Sequence, residues 1–236
     1  MLDCVEVGGS SIETVTFADD GTIVCVAGAH RTPGAKLAIA TPGIVEANRV
    51  VAASNLGWYD VDPAAALGLG PGAALVLNDA EAQALGELAL RAESDDIVYV
   101  ALGTGVGGAV IVDGEFLAGN LFGHAGGFSE MACVCGRVGC LETIAGGWSL
   151  PAPVGDETID VIARGVAAAI EREPLATPDL VVVGGGLARR YPHVVHAIGE
   201  LVGAHRYVEA SAAPHGFKSA AAWGLQAALT RNPIHQ

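Results

Sequence analysis

Three cysteines fall within eight residues, in the run Cys133-Val134-Cys135-Gly136-Arg137-Val138-Gly139-Cys140, and His124 precedes the first of them by nine positions. Three thiolates and one imidazole make up a closed tetrahedral zinc set, and such a site contributes directly to folding. Gly136 and Gly139 give the backbone the freedom to curl around an ion. Buried thiols in a small-residue loop are the plainer alternative, but cysteines this close together in a chain of five read as a metal site rather than a disulfide framework. Glu130 is the competing fourth ligand.

Asn78-Asp79 follows the apolar stretch Ala73–Leu77 and precedes a helical pattern, Ala80–Leu90. Ligands of open α/β sheets gather at the carboxyl ends of strands, so a carboxylate there is placed to accept a proton from a hydroxyl that attacks phosphorus. Asp79 as a simple helix cap is the competing reading, and taken alone it is the stronger. Three glycine runs, Gly8-Gly9-Ser10-Ser11, Gly103-Thr104-Gly105-Val106-Gly107-Gly108 and Gly184-Gly185-Gly186, each follow a buried strand pattern. Tight turns of this kind expose backbone N–H groups that can cradle phosphate. None is a P-loop or a convincing dinucleotide fingerprint, and ordinary hairpins are the alternative.

The elements that must position these residues alternate short strands with alanine-rich helices, the pattern of an α/β fold. Val5–Val7, Ile12–Phe17 and Thr22–Ala27 form strand, glycine turn, strand, Asp-Gly turn, strand. Ile97–Leu102, Ala109–Val112 and Glu115–Leu117 repeat that order with Asp113-Gly114 as the second turn. The repetition predicts two similar lobes, 1–90 and 91–236, facing each other across a cleft. Leu37–Ala40, Val50–Ala53 and Leu180–Val183 read as further strands, Thr158–Ile170 and Ser219–Leu229 as helices, and the last residues as frayed.

The 236 residues are 51% hydrophobic and 16% charged, ample for a packed core. A net charge of −14 argues against nucleic-acid partners. The amino terminus lacks a secretory pattern, and no apolar run approaches the roughly 18 residues of a membrane span. A cytoplasmic address is the expectation.

Together, Asn78-Asp79, Gly103–Gly108, the C-x-C-G-x-x-G-C-x-E run ending at Glu142 and Val183–Gly186 resemble the signatures of the ROK family of glucokinases, related sugar kinases and sugar-responsive repressors. The resemblance implies an actin-like ATPase (ribonuclease H-like) two-lobed fold with a zinc-binding loop, ATP with Mg²⁺ as cofactors, a hexose substrate (glucose or an N-acetylated hexosamine) and a homo-oligomer, a dimer. It makes Asp79 the general base, with Asn78, Glu142 and His124 on other sugar hydroxyls and His124, Cys133, Cys135 and Cys140 on structural zinc. Thr41–Val45, including Gly43, and Asn55–Trp58 match the sugar-side loops. Glu6, Gly8, Gly9, Ser10, Gly103, Thr104 and Gly105 would face the phosphates, and Gly184, Gly185 and Gly186 the adenosine.

The chain departs from that pattern in three places. The D-x-G-G-T motif reads Glu6-Val7-Gly8-Gly9-Ser10, one methylene longer at the acid, and a displacement of about 1 Å in such chemistry can cost about a hundredfold in rate. In the E-x-G-H motif, Gly123-His124 are kept but the acid is replaced by Leu121, or by Asn120 if a residue is inserted. Helix-bearing segments are missing between Arg31-Thr32-Pro33 and Leu37–Ala40 and trimmed between Gly147 and Asp156. Two functions follow: an ATP-dependent hexose kinase, and an impaired relative that binds sugar or a partner without phosphoryl transfer. A DNA-binding repressor is disfavoured by the acidity and the absence of an N-terminal helix-turn-helix.

Overall fold

The computed structural model describes residues 1–91, 96–118, 122–172 and 178–230. Asn120 and Leu121, and the residues beyond 230, lie outside them. The first half holds β1 (Leu2–Val7), β2 (Ile12–Phe17), β3 (Ile23–Ala27), β4 (Lys36–Thr41), β5 (Ile44–Glu46), β6 (Arg49–Ala53), β7 (Trp58–Val61), α1 (Pro63–Ala66), β8 (Leu75–Asn78) and α2 (Asp79–Arg91). The second half holds β9 (Ile97–Leu102), β10 (Val106–Val112), β11 (Glu115–Ala118), a 3-10 turn at Phe122–His124, α3 (Glu142–Ala145), α4 (Asp156–Arg172) and β12 (Leu180–Gly184). It ends with α5 (Gly186–Arg190), α6 (His193–Leu201), β13 (Tyr207–Ala210) and α7 (Ala221–Thr230).

The chain divides into two units, Met1–Leu90 with Ala213–Gln236, and Arg91–Ala212. The sequence reading divided the chain between residues 90 and 91. The second lobe, however, does not run to 236: the closing segment returns to the first unit, because the apolar residues of α7 pack there.

In the first unit the sheet order is β3-β2-β1-β4-β8, with β1, β2 and β3 antiparallel and β1, β4 and β8 parallel. The second unit repeats this arrangement as β11-β10-β9-β12-β13. Strand alternation sorts the first unit's core to two faces. Cys4, Val15, Phe17, Ala38 and Ala40 meet Ala82, Ala221 and Leu225 of the helices, whereas Val5, Val7, Leu37 and Ile39 meet Ala64 and Val76. Glu6 shares the face of Cys4 and is therefore drawn toward α2 and α7.

The duplication explains the missing helix. In the second unit the passage from β11 to β12 carries α3 and α4, and α4 buries Ile159, Ile162, Val166 and Ile170 against that sheet. In the first unit the equivalent passage from β3 to β4 holds no helix. The buried Asp3 carboxylate pins it instead, accepting from the hydroxyls of Thr16 (2.7 Å) and Thr32 (3.0 Å) and from the Thr32 N–H. β10 starts at Val106, not at Ala109, so Gly107 and Gly108 are strand residues and the second glycine turn proper is Gly103–Gly105. A side chain on Gly108 would collide with the Phe122 ring, which is why a strand accepts glycine there.

Candidate functional site

In the first unit the parallel strands β1, β4 and β8 end together: Glu6 is in register with Ala40, and Thr41 with Asn78. This edge gathers the Gly8–Ser11 hairpin, Gly43 and Asn78-Asp79. Asn78, not Asp79, is the principal helix cap. Its Oδ1 accepts the N–H of Ala80 at 2.9 Å and of Glu81 at 3.4 Å, while its Nδ2 donates to the Gly43 carbonyl at 2.9 Å. Asn78 thus ties the β4–β5 turn to the start of α2. Gly43 has a φ of +100°, and a side chain on it would overlap Ala52 of β6.

Asp79 is half-buried, and its Oδ1 accepts the Ala80 N–H at 3.0 Å. Burial pushes its pKa up to about 6, the Glu6 charge adds to the rise, and the Ala80 N–H and Lys218 oppose it. Glu6 is almost fully enclosed. Gln83 Nε2 donates to its Oε1 at 2.9 Å, Ser219 Oγ donates to its Oε2 at 2.7 Å, and Lys218 Nζ lies 3.8 Å from Oε1. Burial raises its pKa, against the pull of Lys218 and Ser219. Gln83, Lys218 and Ser219 were given no functional role in the sequence reading. Gln83 lies one helical turn after Asp79, a spacing that could have pointed to it; Lys218 and Ser219 arrive from the far end of the chain.

Asn55 is exposed in the turn between β6 and β7, in the separate three-stranded sheet β5-β6-β7.

In the second unit, His124, Cys133, Cys135 and Cys140 converge, their donor atoms all within 4.8 Å of one another. His124 Nδ1 stands 3.7 Å from Cys133 Sγ, and Cys135 Sγ 3.7 Å from Cys140 Sγ. Tetrahedral bonds of about 2.3 Å place sulfurs about 3.8 Å apart, so the donor set fits a zinc-sized ion. Gly136 and Gly139 both take positive φ, +85° and +79°, as the tight curl requires. Glu130 is not among the converging donors.

The same loop delivers Glu142, which is buried. Its Oε2 accepts the Val106 N–H at 2.9 Å and its Oε1 accepts the Trp148 indole N–H at 3.2 Å. The Gly147 and Trp148 N–H groups donate to the carbonyls of Gly103 and Thr104. Glu142 and the strap at Gly147–Trp148 therefore clamp the glycine turn Gly103–Gly105, and a side chain on Gly105 would overlap the carboxylate. Trp148 was not anticipated. Of the third glycine run, Gly184 is demanded by the Tyr99 hydroxyl, and Gly185, at φ +94°, by the Leu102 carbonyl; only Gly186 borders open space.

Among the described residues, no helix is long and apolar enough to cross a membrane. A model of the ROK family matches residues 24–164. The N-acetylmannosamine kinase of Salmonella arizonae is 37% identical over 141 residues, 54% of this chain and 47% of that enzyme, so the chain spans about half the length of this relative. The kanosamine kinase of Amycolatopsis mediterranei is 30% identical over 211 residues, 71% of this chain and 66% of its own. A ROK family glucokinase from Streptomyces griseus, solved with glucose and AMPPNP, superposes with a TM-score of 0.73 at 22% identity, over 94% of this chain and 96% of that one. The likeness and the repeated sheet topology agree on an actin-like ATPase fold of the α/β class.

Proposed function

From the premise that the chain belongs to the ROK family, we propose that it transfers a phosphoryl group from ATP to a hydroxyl of a hexose, with Asp79 as general base. One observation carries this reading: Asp79 stands at the carboxyl end of β8, across β4 from the end of β1 and its glycine hairpin, with a pKa lifted to about 6. A base with a pKa just below the working pH is mostly ionised and still basic enough to take a proton in the transition state. The carboxylate accepts the hydroxyl proton as the sugar oxygen attacks the terminal phosphorus, and ADP leaves.

A hexose or an aminated or N-acetylated hexosamine is the substrate class, in keeping with the sugars named for the N-acetylmannosamine and kanosamine kinases. We assign Gly103–Gly105 to phosphate and Gly184–Gly186 to adenosine. The His124–Cys133–Cys135–Cys140 cluster holds structural zinc, which steadies the loop that delivers Glu142 to the glycine turn. Mg²⁺ bound with ATP would neutralise phosphate charge. Glu6 is a poor direct ligand for that ion, since it is nearly enclosed and each of its oxygens already accepts a protein hydrogen bond.

A second reading, sugar binding without phosphoryl transfer, is favoured by that same enclosure of Glu6. A coupled ADP-release assay over glucose, N-acetylmannosamine and kanosamine separates the two. ADP release with one sugar, lost by about 10²-fold or more in a folded Asp79→Asn protein, supports the kinase. Thermal stabilisation by a sugar with no ADP formed supports the second reading instead.

A further inference from the structure

The segment entering α7 lays Lys218 directly on the first glycine hairpin. Its Nζ donates to the Ser11 carbonyl at 3.0 Å and stands 3.8 Å from Glu6 Oε1. A side chain on Gly8 would overlap that ammonium. The backbone on either side is fixed: the Lys218 N–H donates to Glu13 Oε1 at 3.0 Å, and Ser219 Oγ is bonded to Glu6. The Gly8 N–H donates to the same Ser11 carbonyl, which closes the hairpin under the lysine. The Lys218 side chain keeps 21% of its surface, against 7% for Glu6, so the lysine is the more exposed of the two.

A phosphate chain approaching this hairpin meets three acids, Glu6, Glu13 and Asp79. Backbone N–H groups alone would have to offset their repulsion. Glu6 is a poor candidate to recruit a divalent cation for the purpose, because it is nearly enclosed and an ion bound directly to it would have to enter against Gln83, Ser219 and the nearby ammonium. A lysine ammonium is a compact positive charge suited to gripping phosphate oxygens.

We propose that Lys218 is a phosphate-binding residue: its ammonium, seated on the Gly8–Ser11 hairpin, contacts the polyphosphate chain of a nucleoside triphosphate and supplies the charge that Glu6 would otherwise need a metal ion to provide. The inference rests on the hairpin being the phosphate side of the kinase site proposed above. Lys218 thereby compensates for the longer acid at position 6, which it and Ser219 hold out of the phosphate's way.

The test is calorimetric titration of zinc-loaded full-length protein with AMPPNP and, separately, with inorganic tripolyphosphate, each with Mg²⁺ and in Mg²⁺-free buffer. The expected result is measurable AMPPNP binding without Mg²⁺. Lys218→Met should weaken it by about 10- to 100-fold, the range of a hydrogen bond to a charged group, with Lys218→Arg closer to the wild type. Tripolyphosphate should lose a similar factor, and a loss confined to AMPPNP would overturn the phosphate contact. Lys218→Met leaves Glu6 buried beside no cation, so the charge-neutral pair Glu6→Gln/Lys218→Met is measured with it, its folding checked by melting. Wild-type affinity in either variant overturns the proposal. Binding that needs Mg²⁺ and ignores Lys218 overturns this inference alone, whereas no binding of AMPPNP in any buffer removes the kinase reading beneath it.

Discussion

Asp79 concentrates the chemistry of the first unit in one titration. Under the proposed role as general base the carboxylate is the working form, so kcat/KM should rise with pH through a midpoint near 6 and level off above about 7. The same shift bears on stability with a definite sign. The folded pKa of about 6 lies above the unfolded value of about 3.9, so folding favours the protonated acid. Its contribution is complete below about pH 4 and is lost as pH rises through 6. Asp79→Asn should therefore melt above the wild type at pH 8, with the gap closing as pH falls toward 4; an Asn protein less stable than wild type at pH 8 would mean that burial does not burden this carboxylate. The strand-end place of Asp79 and the His/Cys set that converges were legible because each stands in a short, chemically distinctive stretch. The sequence could not disclose Lys218 and Ser219, which meet Glu6 across more than two hundred residues, nor that Asn78 rather than Asp79 would carry the cap.

At the scale of elements, the same substitution should change sign with the surface it faces. α2 and the segment of α7 meet backbone to backbone: a methyl on Gly86 would overlap the Ala220 carbonyl, and one on Gly224 the Ala82 carbonyl. Gly199 in α6 would bring its methyl no nearer than 3.5 Å to Val208. In a helix, Gly→Ala is ordinarily stabilising by about 1 kcal/mol, and Gly199→Ala should show that gain. Gly86→Ala should instead destabilise by about 1–3 kcal/mol, since overlap with a fixed carbonyl outweighs propensity. Urea melts of the two variants check both signs, and a stabilised Gly86→Ala would show that the helices can part at little cost. Helix periodicity placed α2 and α4 within a residue or two of their observed ends. It passed over α1, although Asp62-Pro63 carried a readable start signal: the Asp62 side chain accepts from Ala64 and Ala65, and Pro63 opens the helix.

Across the whole molecule, the repeat was legible where it is local and hidden where it is not. Hairpins announce themselves through neighbouring residues, and Asp113 and Gly114, at φ +52° and +79°, adopt the two-residue turn their types favour. The parallel partners β4, β8, β12 and β13 join strands that are distant in sequence, and so does the return of residues 213–230 to the first unit. Each unit consequently owns a different device for holding its glycine turn. In the first, the closing segment brings Lys218 and Ser219 to β1; in the second, the Cys/His loop brings Glu142 to Val106. Stripping metal from the second should first free the loop around Cys133–Cys140, then Glu142, then Gly103–Val106. Hydrogen exchange before and after chelation should show protection lost in that order of extent, with β1, β4 and α7 unchanged. Cys135→Ser should reproduce the pattern without a chelator and lower the zinc content, because the four-donor site loses a thiolate and gains no comparable ligand. Gly86→Ala should do the converse, loosening α7 and the Lys218 contact while the Val106 amide stays protected. Uniform loss of protection in both experiments would show that the two devices are not separate, and that zinc supports the fold by a route other than Glu142.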